Sequence, residues 1–246
     1  MNDSFGIIVV GDEILNGKRR DRHFEALSGM LRERGFSVAW LRILPDDPDY
    51  LTAEFTRTME EGRPVFCCGG IGATPDDHTR ACAASAAAVP VIAHPGAVAE
   101  IEARFGADAY PNRIRMAELP QGSELIPNPY NRIPGFSINR HHFMPGFPDM
   151  AHPMAAWVLD NHYREGGQPE QQRAVRVRGV TESQLMDLMQ ALTEQFPDTK
   201  LFSLPRLGAE YQIELGFRAR GDLDAPFGAL LAGLEELGVA YDLLDD

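Results

Sequence analysis

The sequence predicts an α/β fold: a doubly wound, mostly parallel sheet, followed by a small βαββαβ unit of the ferredoxin-like α+β kind. Three observations carry this. Between residues 5 and 88, apolar runs alternate three times with segments of helical periodicity. The runs Phe5-Gly6-Ile7-Ile8-Val9-Val10 and Pro64-Val65-Phe66-Cys67-Cys68 are continuously apolar, the pattern of strands covered on both faces. Beyond Arg164-Glu165-Gly166-Gly167-Gln168-Pro169, a linker by composition, the order changes to strand, helix, strand, strand, helix, strand. Domains are therefore expected at residues 1–165 and 172–246.

The elements follow in order. After the first strand comes Gly11-Asp12-Glu13, then Leu15, Gly17 and the basic cluster Lys18-Arg19-Arg20 with Arg22. A helix is expected from Asp21 or Arg22 to about Arg34, with Phe24, Leu27, Met30 and Leu31 on its buried face, and Gly35 ends it. A second strand over residues 37–44 closes on Pro45-Asp46-Asp47-Pro48, where Asp47 is a good N-cap before a proline at the first helical position. That helix buries Leu51, Phe55 and Met59. After the third strand and its helix, residues 89–93 read as a brief strand or connector. Pro95-Gly96 opens a helix, and Tyr110-Pro111 opens a shorter one through Met116. Residues 120–153 are rich in proline, which fixes loops rather than elements. Within them, residues 136–143 read as one strand, and residues 150–163 as the closing helix of the domain. The second unit reads as strands near residues 174–177, 200–204, 211–219 and 239–244, with helices over about 181–196 and 222–237.

Composition bounds the function. The 246 residues leave room for one large domain or two modest ones, and 44% hydrophobic with 24% charged residues is ordinary for a soluble globular protein. The formal net charge of −13 argues against a free nucleic-acid surface. The second unit has seven Lys and Arg against a clear excess of Asp and Glu, and no Gly-x-x-Gly loop, so an RNA-clamping role is not expected of it. It reads as an accessory or dimerisation unit. Asp12 and Glu13 break the first apolar run before a signal-length core forms, and no stretch approaches the roughly 20 apolar residues that span a bilayer. Cys67, Cys68 and Cys82 form no metal spacing and no disulfide framework. A reduced, cytoplasmic protein without a membrane partner is expected.

The chemistry concentrates in Gly69-Gly70-Ile71-Gly72-Ala73-Thr74-Pro75-Asp76-Asp77-His78-Thr79, ahead of an alanine-rich run. Three glycines after a buried strand let backbone N–H groups approach an anion closely. Thr74, Pro75, Asp76 and Asp77 look like a helix start, whose dipole and open N–H groups would favour phosphate. Two carboxylates in an anion seat imply a cation such as Mg²⁺ between them and the ligand. An ordinary strand-to-helix turn, with Asp77 as a helix cap, is the competing reading. Gly11-Asp12-Glu13, Asn128-Pro129-Tyr130-Asn131 and Pro145-Gly146 are loops placed to line a site, or merely to join elements; Glu13 could equally cap the next turn. Arg19 and Arg22 read as solvated surface, and His78 as a hydrogen-bonded helix residue. His141 and His142 are neighbours on a strand, so they face opposite ways and cannot chelate together. Trp40 and Trp157 fit core or interface positions.

The glycine stretch resembles the signature of the molybdopterin-binding MoaB/Mog domain, and is closest to the branch in competence/damage-inducible protein A. Gly11-Asp12-Glu13-Ile14-Leu15-Asn16-Gly17, Asn128-Pro129 with Pro134-Gly135-Phe136, and Pro145-Gly146-Phe147-Pro148-Asp149-Met150 agree in the same order, over roughly residues 4–163. Arg178-Gly179-Val180-Thr181-Glu182-Ser183 is similar to that branch's middle domain; its C-terminal amidohydrolase domain is expected to be missing, and its deamidase activity is not carried over. The resemblance implies a three-layer α/β/α domain that binds a phosphorylated pterin or a nucleotide. It further implies a metal-dependent ADP-ribose pyrophosphatase or, alternatively, a non-catalytic molybdopterin binder or molybdopterin adenylyltransferase. Asp77 and Asp46 match the family's acidic positions and are the expected metal-binding and catalytic residues. Gly11, Asp12, Glu13, Gly69, Gly70, Gly72, Thr74, Asp76, Thr79, Asn128, Pro145 and Gly146 are the expected ligand-binding set. A homo-oligomer, dimer or trimer, is also implied. The chain departs from the family at Asp76, where the molybdenum-cofactor enzymes often have Arg, and at His23, where the competence branch often has Asn.

Overall fold

The computed structural model describes residues 4–163, 167–206, 208 and 211–244, and the chain divides into two compact units at residues 167 and 168. In the first, β1 (Ser4–Val10) leads through a single turn, α1 (Asp12–Leu15), into α2 (His23–Glu33). Then come β2 (Ser37–Leu44), α3 (Pro48–Glu60), β3 (Val65–Cys68), α4 (Thr79–Ala86), β4 (Val91–Ala93) and α5 (Pro95–Phe105). β5 (Glu118–Pro120), β6 (Glu124–Ile126), β7 (Gly135–Ile138), β8 (His141–Met144) and α6 (Pro148–His162) complete it.

Six strands form one sheet in the order β2-β1-β3-β8-β7-β6. The pairs β1–β2, β1–β3 and β3–β8 are parallel, whereas β7 runs antiparallel to both β8 and β6. Alternate side chains of the same strands enter two cores. Ile8, Val10, Val65, Cys67 and Phe143 meet Leu51 and Phe55 of α3, Cys82 of α4 and Ile101 of α5. Phe5, Ile7, Val9, Phe66, Cys68 and Met144 meet Leu27 and Leu31 of α2 and Met154, Ala155 and Val158 of α6. Helices on both faces make three layers, and explain why these strands read as continuous apolar runs. β4 and β5 form a separate antiparallel pair.

Three local expectations are corrected. Residues 136–143 are not one strand but the hairpin β7–β8, turned by Asn139 and Arg140 at φ +46° and +62°. Two successive left-handed residues make the turn whose twist suits a two-residue hairpin, and Asn tolerates it best among residues with a side chain. The short helix expected from Tyr110 is instead two 3₁₀ turns, Gly106–Ala109 and Arg113–Ala117. On α2 the buried face is His23, Leu27 and Leu31, while Phe24 is 41% exposed.

The second unit is β9 (Gln171–Arg178), α7 (Glu182–Gln195), β10 (Lys200–Arg206), β11 (Gln212–Ala219), α8 (Asp224–Glu236) and β12 (Tyr241–Leu244). Its sheet runs β10-β11-β9-β12, antiparallel throughout, the order of a split βαβ repeat. Val175, Val177, Ile213, Leu215 and Phe217 pack against Leu185 and Leu192 of α7 and Phe227, Leu230 and Leu234 of α8. α7 opens on a capping box, with the Thr181 and Gln184 side chains each bonded to the other's backbone N–H. Pro205 sits in β10 at the sheet edge, where its missing N–H costs no ladder bond.

Candidate ligand-binding site

Parallel strands β1, β2, β3 and β8 end together, because their registers align Val9 with Cys68, Val10 with Leu44, and Cys68 with Met144. Four loops therefore leave one sheet edge: Gly11 onward, Pro45-Asp46-Asp47, the glycine stretch, and Pro145-Gly146-Phe147. Backbone bonds tie them to the sheet, Gly11 N to Leu44 O at 3.1 Å and Gly69 N to Met144 O at 3.0 Å.

The glycines are required by close approach. Gly69 has φ +115°, and a Cβ there would lie 2.2 Å from the Val10 carbonyl oxygen. Gly70 has φ +67°, and its Cβ would fall 2.3 Å from Thr79 Oγ1. Both positions thus exclude a side chain for steric and conformational reasons at once. Among the described residues, the amides of residues 70–73 donate to no protein acceptor. Four successive open N–H groups in a glycine loop form an anion-binding concavity. Thr79 lies beneath it, fully buried, and its hydroxyl has no hydrogen-bond partner among the described residues.

The helix after this loop starts later than the sequence suggests. Thr74, Pro75, Asp76 and Asp77 form a turn, and α4 begins at Thr79. The cause is Asp77: its Oδ2 accepts the Thr74 N–H at 2.8 Å and also the Thr74 hydroxyl, closing a local ring that competes with helix. Downstream amides are already used, Asp77 N on Thr74 O, His78 N on Asp76 O, and Thr79 N on Gly70 O. The Asp77, His78 and Thr79 amides are therefore spent, whereas those of residues 70–73 stay open among the described residues. Asp77 caps the turn, not the helix.

The carboxylates gather around Asp46. Asp12 N donates to Asp46 Oδ2 at 3.0 Å, and Asp46 N to Asp12 Oδ1 at 3.4 Å, so the two loops clasp each other. Burial pushes the Asp46 carboxyl above its ordinary range, and the charges of Asp12, Glu13 and Asp76 push the same way against the Asp12 amide. No cluster of three or more His, Cys, Asp or Glu side chains among the described residues is arranged to hold a metal ion. Mg²⁺, however, commonly takes one or two carboxylates and completes its shell with phosphate and water. A hard-oxygen pair such as exposed Asp12 and half-buried Asp46, on loops that leave the same sheet edge as the glycine stretch, fits that donor set.

Asn128 is buried and its amide is spent within its own loop: Nδ2 donates to Ile133 O and Oδ1 accepts from Tyr130 N, both at 3.0 Å. Its side chain and Pro127, Pro129 and Pro134 line a cavity of about 360 Å³ with Trp157. His141 and His142 do face opposite ways, one bonded to Thr58 Oγ1 and the other to Ser137 Oγ and Tyr163. Cys67, Cys68 and Cys82 are buried free thiols, and burial pushes the first two well up.

Two residues not singled out as site-builders serve the edge. Arg80 places its guanidinium on the carbonyls of Gly72, at 2.7 Å, Arg115 and Glu118, bracing the glycine loop. Buried His23 donates from Nε2 to Gly146 O at 3.2 Å, and desolvation holds its pKa below the ordinary value, so the ring is neutral. A histidine at the start of an amphipathic helix, on its apolar stripe, was the available signal for His23. Arg80 had none, because its acceptors lie up to 38 residues away in sequence.

A parallel sheet with its loops gathered at the carboxyl edge defines an α/β domain that keeps its site at that edge. The chain belongs to the family described as the probable molybdopterin binding domain, which matches residues 6–164. A protein of Pyrobaculum calidifontis is 26% identical over 209 residues, which is 81% of this chain and 80% of that one. A CinA-like protein of Anaeromyxobacter sp. (strain K) is 31% identical over 72% of this chain and 45% of its own length. The chain spans about half the length, or less, of such CinA-like relatives. The crystal structure of CinA from Thermoplasma acidophilum, whose function is given as unknown, superposes with a TM-score of 0.60 at 26% identity, covering 65% of this chain and 97% of that one. No helix among the described residues is long and apolar enough to cross a membrane.

Proposed function

We propose that the first unit binds a phosphorylated pterin or nucleotide, of the molybdopterin or ADP-ribose type, and, where the ligand is a nucleotide of the ADP-ribose type, hydrolyses its pyrophosphate with a divalent cation. The observation that carries the reading is the run of four open amides at residues 70–73 over the unpartnered Thr79 hydroxyl. Gly69, Gly70 and Gly72 let the loop pack closely against Val10, Thr79 and Asp77, and Arg80 braces it at the Gly72 carbonyl. Asp46 and Asp12 would hold Mg²⁺, with Asp76 near enough to add its charge. Asp77, whose Oδ2 accepts from Thr74, would offer its Oδ1 to the same cation. The cation would supply charge neutralisation on the bridging phosphates and orient a water for in-line attack. Glu13 and the Pro145-Gly146 turn line the same edge, and the same protomer is expected to assemble as a dimer or trimer.

A second reading, binding of molybdopterin or adenylyl transfer to it without hydrolysis, is favoured by the family description itself. The discriminating test is AMP release from ADP-ribose with Mg²⁺, Mn²⁺ or Co²⁺. Metal-dependent AMP that is lost in Asp46→Asn and Asp77→Asn supports hydrolysis. Absence of AMP together with tight molybdopterin binding supports the second reading.

A further inference from the structure

We propose that Phe147 is the platform on which the flat heterocycle of the bound ligand stacks. This deepens the preceding reading and rests on its anion seat. β8 lies directly beside β3, so the chain leaving β8 passes the glycine loop at once: a Cβ at Gly146 would sit 3.4 Å from the Gly69 Cα. Phe147 is the next residue and is 58% exposed, whereas Phe143 on the same segment is fully buried.

The ring is nevertheless carried on a fixed backbone. His23 bonds the carbonyl before it, and the Phe147 carbonyl accepts from Met150 N at 3.0 Å and Ala151 N at 2.9 Å. Pro145 and Pro148 restrict the dihedrals on either side. An exposed aromatic ring carried one residue beyond the Gly146–Gly69 approach matches a ligand with an anionic group at one end and a planar ring at the other. Stacking of a base on an aromatic side chain tolerates any π-face, pterin or purine.

The test is calorimetric titration of the full chain with two ring-bearing probes, ADP-ribose and neopterin triphosphate, and with inorganic pyrophosphate. For the ring-bearing probe that binds the wild type tighter, Phe147→Ala should weaken binding about tenfold or more. Pyrophosphate should bind that variant within about twofold of wild type, because its contacts are to the loop alone. In F147W, the added indole emission should be quenched by the ring-bearing probe and not by pyrophosphate. Unchanged affinity in Phe147→Ala, or equal loss for ring-bearing probe and pyrophosphate, overturns the platform. Wild type that binds pyrophosphate but neither ring-bearing probe overturns the platform and leaves the anion seat standing. Wild type that binds none of the three overturns both.

Discussion

His142 gives a stability prediction that can be worked through. It is buried between Ser137 Oγ, 2.8 Å from Nδ1, and the Tyr163 hydroxyl, 2.9 Å from Nε2. Burial lowers its pKa from 6.5 to about 3, and the nearby His162, His141 and Arg140 add to the effect. The folded state therefore keeps this ring neutral at a pH where the unfolded chain protonates it. Between the two pKa values the unfolded state binds more protons, so stability rises with pH there and falls as pH drops below 6.5. Each pH unit well inside that window is about 1.4 kcal/mol, and the rounded shoulder near the unfolded pKa removes part of it. Taking the protein from pH 7 to pH 5 should thus cost about 2 kcal/mol through His142 alone. His141, lowered to about 4 by burial, adds a similar loss. The perturbation is His142→Asn, which leaves no titrating group at the site. The assay is urea unfolding at both pH values, followed by tryptophan emission. Trp40 and Trp157 both lie in the first unit, so the signal reports that unit. The wild type should lose about 2 kcal/mol more than the variant between pH 7 and pH 5. Equal losses would mean that the ring is protonated in the folded state, and the argument from burial would fail.

The other predictions are simpler. Gly70→Ala places a side chain at φ +67° and 2.3 Å from Thr79 Oγ1, and should cost about 2–4 kcal/mol by urea unfolding and abolish pyrophosphate binding. Arg80→Ala strips three carbonyls of one guanidinium, and about 3 kcal/mol of stability should be lost by urea unfolding. Asp47→Ala removes the cap whose Oδ1 accepts Tyr50 N at 2.8 Å and should cost about 1 kcal/mol without changing ligand affinity, which titration would check.

Much of the architecture is legible in local sequence, because strand and helix periods, Asp47 with Pro48, and the Thr181 capping box act within a few residues of themselves. The hairpin at Asn139 and Arg140 was legible only in hindsight: a left-handed Asn leaves no trace in an otherwise apolar and histidine-rich run. The helix start misled for a similar reason. Thr74, Pro75 and Asp76 carry every N-terminal signal, but the Asp77 carboxylate captures the Thr74 amide first and moves α4 down to Thr79.

By itself, then, the sequence determined the alternation of elements, the two units, the glycine stretch and the family. These depend on hydrophobic period and on short-range sterics, which any segment carries with it. Only the tertiary structure decided that Asp46 faces Asp12, that Arg80 and His23 hold the edge, and that the amides of residues 70–73 are left open among the described residues. Those facts depend on strand register and helix packing, which bring together residues such as His23 and Gly146, 123 positions apart. No local pattern encodes a contact of that range.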